Sequence, residues 1–110
     1  MAKFVLLSYL TPGAEPTSEV EGKRWMAYHQ ALKESGVLLS NAGMSKTDVA
    51  TTVRVVGGDT QVTDGPGVDS TEYLAGYFLL EVADRAEAQE WAAKMPNSSY
   101  GPVEVRPVWY

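Results

Sequence analysis

Hydrophobic side chains recur along this chain with two periods, and the switches between them predict an alternation of strands and helices. Residues 3–10 form an apolar run of strand formers closed by Thr11, Pro12 and Gly13, which reads as a first strand long enough to be central. Ser18 followed three residues later by Glu21 is a capping-box signature. Good helix formers then continue to Ser35, and Gly36 is placed to close the helix in the left-handed conformation. At about 100° per residue, Trp25, Tyr28 and Leu32 share one narrow face with Ala31 on its flank, and that face is expected to meet a sheet.

Residues 37–41 and 50–56 read as short strands, and Gly57, Gly58 and Asp59 turn the second of them into residues 60–63 as a hairpin. Asp64, Gly65, Pro66 and Gly67 stop the pairing, because proline donates no backbone hydrogen bond and glycine adopts positive φ, and a loop runs on to about Glu72. Residues 74–82 predict another strong strand. Asp84 with Glu87 starts a second helix that Pro96 ends, with Ala88, Trp91, Ala92 and Met95 as its buried stripe. A polar turn over 97–101 leads to an alternating strand at 103–109. Two strand–helix–strand units with both helices on one face make a single α+β domain over 1–110, a ferredoxin-like sandwich. The other sheet face would carry Tyr77, Leu79, Glu81, Glu104, Arg106 and Val108, a mixture too apolar for bare solvent. A homodimer through these sheet faces is expected, with Arg106 matching Glu81 of the second copy.

Composition narrows the chemistry. Fourteen acidic against nine basic residues leave a charge of −5 with no Lys/Arg cluster, which argues against nucleic-acid binding. No apolar run approaches the roughly 18 to 20 residues that cross a bilayer, and the amino end carries no signal-type stretch, so a cytoplasmic protein without a membrane partner is expected. Zero cysteines exclude disulfides, thiolate metal sites and cysteine nucleophiles, and one histidine excludes a multi-histidine centre within the chain. The expected chemistry is free of metal and cofactor. It rests on histidine, carboxylates, hydroxyls and backbone groups.

His29 is the one side chain whose ordinary pKa lies near neutrality, and it falls about 60° from Leu32 at the border of the buried helix face. As a general base it needs a carboxylate to orient it, and Asp48 and Asp64 are the loop acids placed to approach. The structural alternatives are a hydrogen-bonded packing role for His29 and a turn-holding role for Asp64. Trp25 and Tyr28, with Tyr77, are candidates to line an aromatic-binding pocket, whereas Trp91 reads as core. Arg54 is a candidate carboxylate binder, and Gly65 and Pro66 would present backbone groups at a pocket mouth. The glycine-rich stretches lack the spacing of a nucleotide-binding loop, and Ser98 and Ser99 form no nucleophile elbow.

Thr63-Asp64-Gly65-Pro66, then Leu74-Ala75-Gly76-Tyr77-Phe78, Glu90-Trp91-Ala92 and the closing Val103-Glu104-Val105-Arg106-Pro107-Val108 together resemble the DGPF-domain branch of the YCII-related proteins, over nearly the whole chain. The resemblance implies a dimeric α+β barrel in which two ferredoxin-like protomers place their sheets face to face. It also implies an enzyme with a His and Asp pair near a cleft, some relatives acting on small aromatic compounds and one being a dehydrochlorinase. Two positions depart from the family pattern: Gly67 replaces the aromatic residue after Asp-Gly-Pro, and His29 lies deeper in the first helix than the family's histidine. The expected function is therefore cofactor-independent acid/base chemistry of the isomerase, cyclase or lyase type on an aromatic or oxygenated metabolite. The alternative is a ligand-binding or accessory protein of the same fold.

Overall fold

The computed structural model describes residues 1–110. In chain order the elements are β1 (Ala2–Leu10), α1 (Glu19–Ser35), β2 (Leu38–Gly43), β3 (Thr51–Val56), β4 (Asp59–Asp64), β5 (Tyr73–Val82), α2 (Arg85–Lys94) and β6 (Val103–Pro107). Short 3-10 turns at Thr47–Val49 and Pro96–Ser99 complete them. Both helices begin where the capping signals predict. Ser18 accepts from the Glu21 N–H at 3.2 Å, and Asp84 accepts from the Glu87 N–H at 3.0 Å while Glu87 accepts from the Ala83 N–H at 3.1 Å. Gly36 ends α1 at φ 77°, a conformation that its missing Cβ makes inexpensive.

Four strands form one antiparallel sheet in the order β2-β5-β1-β6, the arrangement that two split strand–helix–strand units produce. The fold is α+β. β1 and β5 alternate strictly: Phe4, Leu6, Phe78, Leu80 and Val82 are buried on one face, while Val5, Leu7, Tyr77 and Leu79 are half-buried on the other. The buried face receives Tyr28 and Leu32 from α1 and Ala88, Ala92 and Met95 from α2 as one core. Leu6, Leu32 and Leu80 are fully enclosed, each contributing about 1.5–3 kcal/mol from burial. Both helices lie on this face, so the opposite face carries no helix. No helix is long and apolar enough to cross a membrane.

Three features depart from a regular ladder, the first a shift in the β2–β5 register at Leu39. The β1–β5 pairing shifts register between Ser8 and Tyr9, so that Gly76 and Leu74 find partners while Ala75 bulges. The predicted hairpin forms, but as a separate two-stranded sheet of β3 and β4 rather than as part of the main one. β2 and β5 pair directly with each other from Leu38↔Leu80 to Gly43↔Gly76, and the chain between them is extruded as an arm. Val53, Val55 and Val62 lie on one face of that arm, each 60–68% exposed.

Candidate functional site

The bulge and the first helix together make a cavity. α1 crosses the sheet at the level where β1 and β5 fall out of register, and the space left has a volume of about 270 Å³. Ser8 and Leu10 of β1, Asn41 and Gly43 of β2 and Ala75, Gly76 and Phe78 of β5 form its floor, while Trp25 and His29 of α1 form its roof. The remaining wall comes from the connections, through Glu15 and Pro16 before α1 and through Asn97 and Tyr100 after α2. Gly76 is needed in the floor, because a Cβ there would come within 3.0 Å of the Ala42 carbonyl oxygen and 3.3 Å of Ser8 Oγ.

An aromatic cluster joins the roof to the floor. The Trp25 ring lies parallel to Phe78 at 6.3 Å between centroids, and the His29 ring is tilted against the same Phe78 at 5.2 Å. Trp25 Nε1 donates to the Tyr100 hydroxyl at 3.1 Å, which fixes both rings at the rim. Burial, and then the Glu21 carboxylate beside it, push the Tyr100 phenol up from its ordinary value. Asn97 is 1% exposed and donates to the carbonyls of Tyr9 at 3.0 Å and Pro102 at 3.2 Å, tying the wall to the end of β1. These bonds leave the His29 ring free.

The carboxylate that shares this cavity with His29 is Glu15. Gly13 N–H donates to it at 2.9 Å, the Tyr73 hydroxyl donates to it at 3.0 Å, and Lys46 stands 4.0 Å away. Its own backbone N–H, followed by Tyr73, Lys46 and Gly13, holds the Glu15 carboxyl below the usual range against the opposing pull of burial. Burial and the Glu15 contact push the Tyr73 phenol up. Glu15 is thus an anion at neutral pH with its charge held in place. Nothing in the sequence marks it, because it lies in a Pro- and Gly-flanked connection whose path only the folded chain defines.

The residues singled out from the sequence scatter around this geometry. His29 and Trp25 line the cavity. Tyr28, proposed as a ligand contact, is instead 5% exposed, donates its hydroxyl to the Trp91 carbonyl at 2.8 Å and does not line the cavity. Asp48 lines a shallower neighbouring cleft with Lys46, Thr47 and Tyr73, on the far side of Glu15. Asp64 ends β4 opposite Thr51 and is exposed on the arm, away from the cavity lining. Gly65 and Pro66 form the turn beside it, where Gly65 at φ 105° donates to the Ala50 carbonyl at 2.8 Å and accepts from Thr52 at 2.7 Å. Arg54 is spent on the same turn, donating to the Gly67 carbonyl at 3.1 Å. Tyr77 points from the helix-free sheet face, with its hydroxyl 3.4 Å from that of Ser40. Arg106 bonds Glu104 on its own strand. The expected pairing of His29 with Asp64 or Asp48 is therefore not what one chain assembles, because the arm carries Asp64 outward and Glu15 stands between the cavity and Asp48.

Comparison with known proteins places the chain. An uncharacterized protein of Rhizobium meliloti (strain 1021) is 38% identical over 84 residues, covering 74% of this chain and 68% of that protein. The YCII-related domain matches residues 2–110, essentially end to end. This chain belongs to the YCII-related family.

Proposed function

We propose that the cavity under α1 binds a small aromatic or oxygenated metabolite and that His29 moves a proton on it, in cofactor-independent chemistry of the isomerase, cyclase or lyase type. The observation that carries this reading is the unbonded His29 ring in a cavity with a fixed carboxylate, Glu15, and an aromatic wall. A cavity of about 150 Å³ already holds benzene, so about 270 Å³ suits one substituted ring. A planar ligand fits beside Trp25 and Phe78. His29 takes the proton from the ligand, and the Glu15 anion stabilises the resulting imidazolium and thereby the charge separation of the transition state. In this reading Glu15 replaces Asp64 and Asp48 as the supporting acid. Arg54, Gly65 and Pro66 act in the turn that shapes the arm.

The same reading includes the dimer of the DGPF branch, two protomers meeting through the faces that carry Val5, Leu7, Tyr77 and Leu79 to form an α+β barrel, at work in the cytoplasm. Lys3 and Arg106 against Glu81 and Glu104 make that face electrically balanced, so two copies can meet without net repulsion. Binding without turnover is the second reading. The saturation of Asn97, Tyr100 and Glu15 by bonds within the chain favours it.

The test combines binding and turnover on one-ring probes that a proton transfer alone can convert, cyclohex-3-enone (isomerised to the conjugated ketone) and chlorohydroquinone (losing HCl to leave benzoquinone), followed by His29→Gln. Retained binding with turnover reduced at least about 100-fold supports proton transfer. Binding with no conversion by the wild type moves the assignment to the second reading. Unaltered turnover by the variant overturns the role of His29.

A further inference from the structure

The β3–β4 arm is the part of the chain that the cavity does not use. It is a two-stranded ribbon of six residues a side with no third strand and no helix packed on it. An isolated hairpin of this size is marginally stable in water. Yet its face of Val53, Val55 and Val62 is presented to solvent, while the reverse face is tied down by Thr52 and Arg54 to the Gly65–Gly67 turn. A β-ribbon that is anchored on its polar side and bare on its valine side is built to lie against something.

We infer that this valine face packs on a second copy of the chain, each arm of a two-fold dimer reaching over the body of the other. The inference rests on the face-to-face dimer of the proposed function and extends it. The area favours this occupant. At about 4.8 Å between strands and 3.3 Å per residue, the four-stranded face offers about 480 Å² in outline, short of the 600 Å² per partner at the low end of stable interfaces. The arm adds about 190 Å² by the same measure, which brings the contact into the range of stable dimers. The arm is rooted between Gly43 and Tyr73, at the end of the main sheet where the cavity opens, so arm exchange also sets the partner beside the cavity mouth. The chain's acidity argues against an acidic partner, and the valine cluster of Val53, Val55 and Val62 is itself uncharged, the one charge on that face being Asp64 at the end of the ribbon.

The experiment is sedimentation velocity across a micromolar dilution series on four proteins: wild type, Val53→Asp with Val62→Asp, Val53→Thr with Val62→Thr, and Leu79→Asp on the sheet face. The threonine pair keeps the β-branched shape that the hairpin needs and guards against simple loss of the arm. The proposal expects a wild-type dimer whose dissociation constant rises at least 30-fold in the aspartate pair and measurably in the threonine pair, with far-UV circular dichroism unchanged. A wild-type dimer unaffected by either arm pair but broken by Leu79→Asp overturns the arm contact and leaves the sheet-face dimer standing. A dimer broken by the arm pairs and indifferent to Leu79→Asp supports the arm and removes the sheet-face reading. A wild-type monomer throughout overturns both.

Discussion

Asn97→Asp is the substitution for which the structure sets the firmest expectation. The side-chain amide of Asn97 is enclosed and serves two carbonyl oxygens, those of Tyr9 and Pro102, from one nitrogen. Exchange of NH₂ for O⁻ removes both bonds and places a negative oxygen against two carbonyl dipoles. Two lost bonds at about 1 kcal/mol each, with a buried carbonyl left wanting at about 1–3 kcal/mol, give a destabilisation of about 3–5 kcal/mol at pH 7. That is a large share of the roughly 5–15 kcal/mol that holds a domain of this size. Urea unfolding followed by tryptophan emission would report it as a midpoint lowered by about 1.5–2.5 M, taking a slope near 2 kcal/mol per molar. The pH dependence makes the prediction sharper. Burial and the facing carbonyls raise the introduced carboxyl above its unfolded value, so the charged form carries the penalty at high pH and protonation relieves it as pH falls toward 4. The difference between variant and wild type must therefore shrink on acidification, whatever the acid sensitivity the two proteins share. An unchanged midpoint at pH 7, or a deficit that is flat from pH 7 to pH 4.5, would refute the assigned role of Asn97.

Glu15→Gln isolates the acid sensitivity of the cavity. Because the folded-state value of Glu15 is depressed, its stabilisation is complete above the ordinary carboxyl value near 4.5 and lost as pH falls below it, so the variant should show a flatter acid limb in pH-jump unfolding than the wild type. Tyr28→Phe should cost about 1–2 kcal/mol in urea denaturation through the lost bond to Trp91. It should also remove part of the wild type's stability loss above about pH 10, since burial raises the Tyr28 phenol and stabilisation of that sign is lost as pH rises. Gly101→Ala drives a methyl to 2.4 Å from the Tyr9 carbonyl oxygen, and thermal unfolding should show at least about 2 kcal/mol of destabilisation.

The elements themselves were legible in the sequence wherever a local rule suffices. The two capping boxes start α1 and α2, and setting Tyr77, Leu79 and Glu81 on the outer face of the strand over 74–82 leaves Phe78 and Leu80 on the core side, whereas the continuous apolar run over 3–10 does not say that Phe4 and Leu6 rather than Val5 and Leu7 are enclosed. His29 at the edge of the buried helix face, and Trp25 beside it, follow from helical periodicity and do line the cavity. What periodicity cannot supply is long-range. The register shift at Ser8, which opens the cavity floor, depends on how β1 meets β5 across more than sixty residues of chain. Glu15 enters the site through the path of a connection, and Asp64 leaves it because an arm is extruded between two strands that already pair. Tyr28 shows the limit within one helix: it shares a face with Trp25, but the approach of α2 captures its hydroxyl and closes it off.

The place where the arm is inserted has a consequence for chain entropy. β2 and β5 are neighbours, and the Met44 N–H already donates to the Ala75 carbonyl at 2.7 Å, so a turn of a few residues would suffice to join them. Closing the longer connection instead costs the single chain about 1–2 kcal/mol, since each doubling of loop length adds about 0.6 kcal/mol. The main sheet gains no ladder from it in return. A version of this protein with residues 45–72 replaced by a tight turn should therefore fold at least as readily as the full chain, which locates the arm's value outside the fold of one copy.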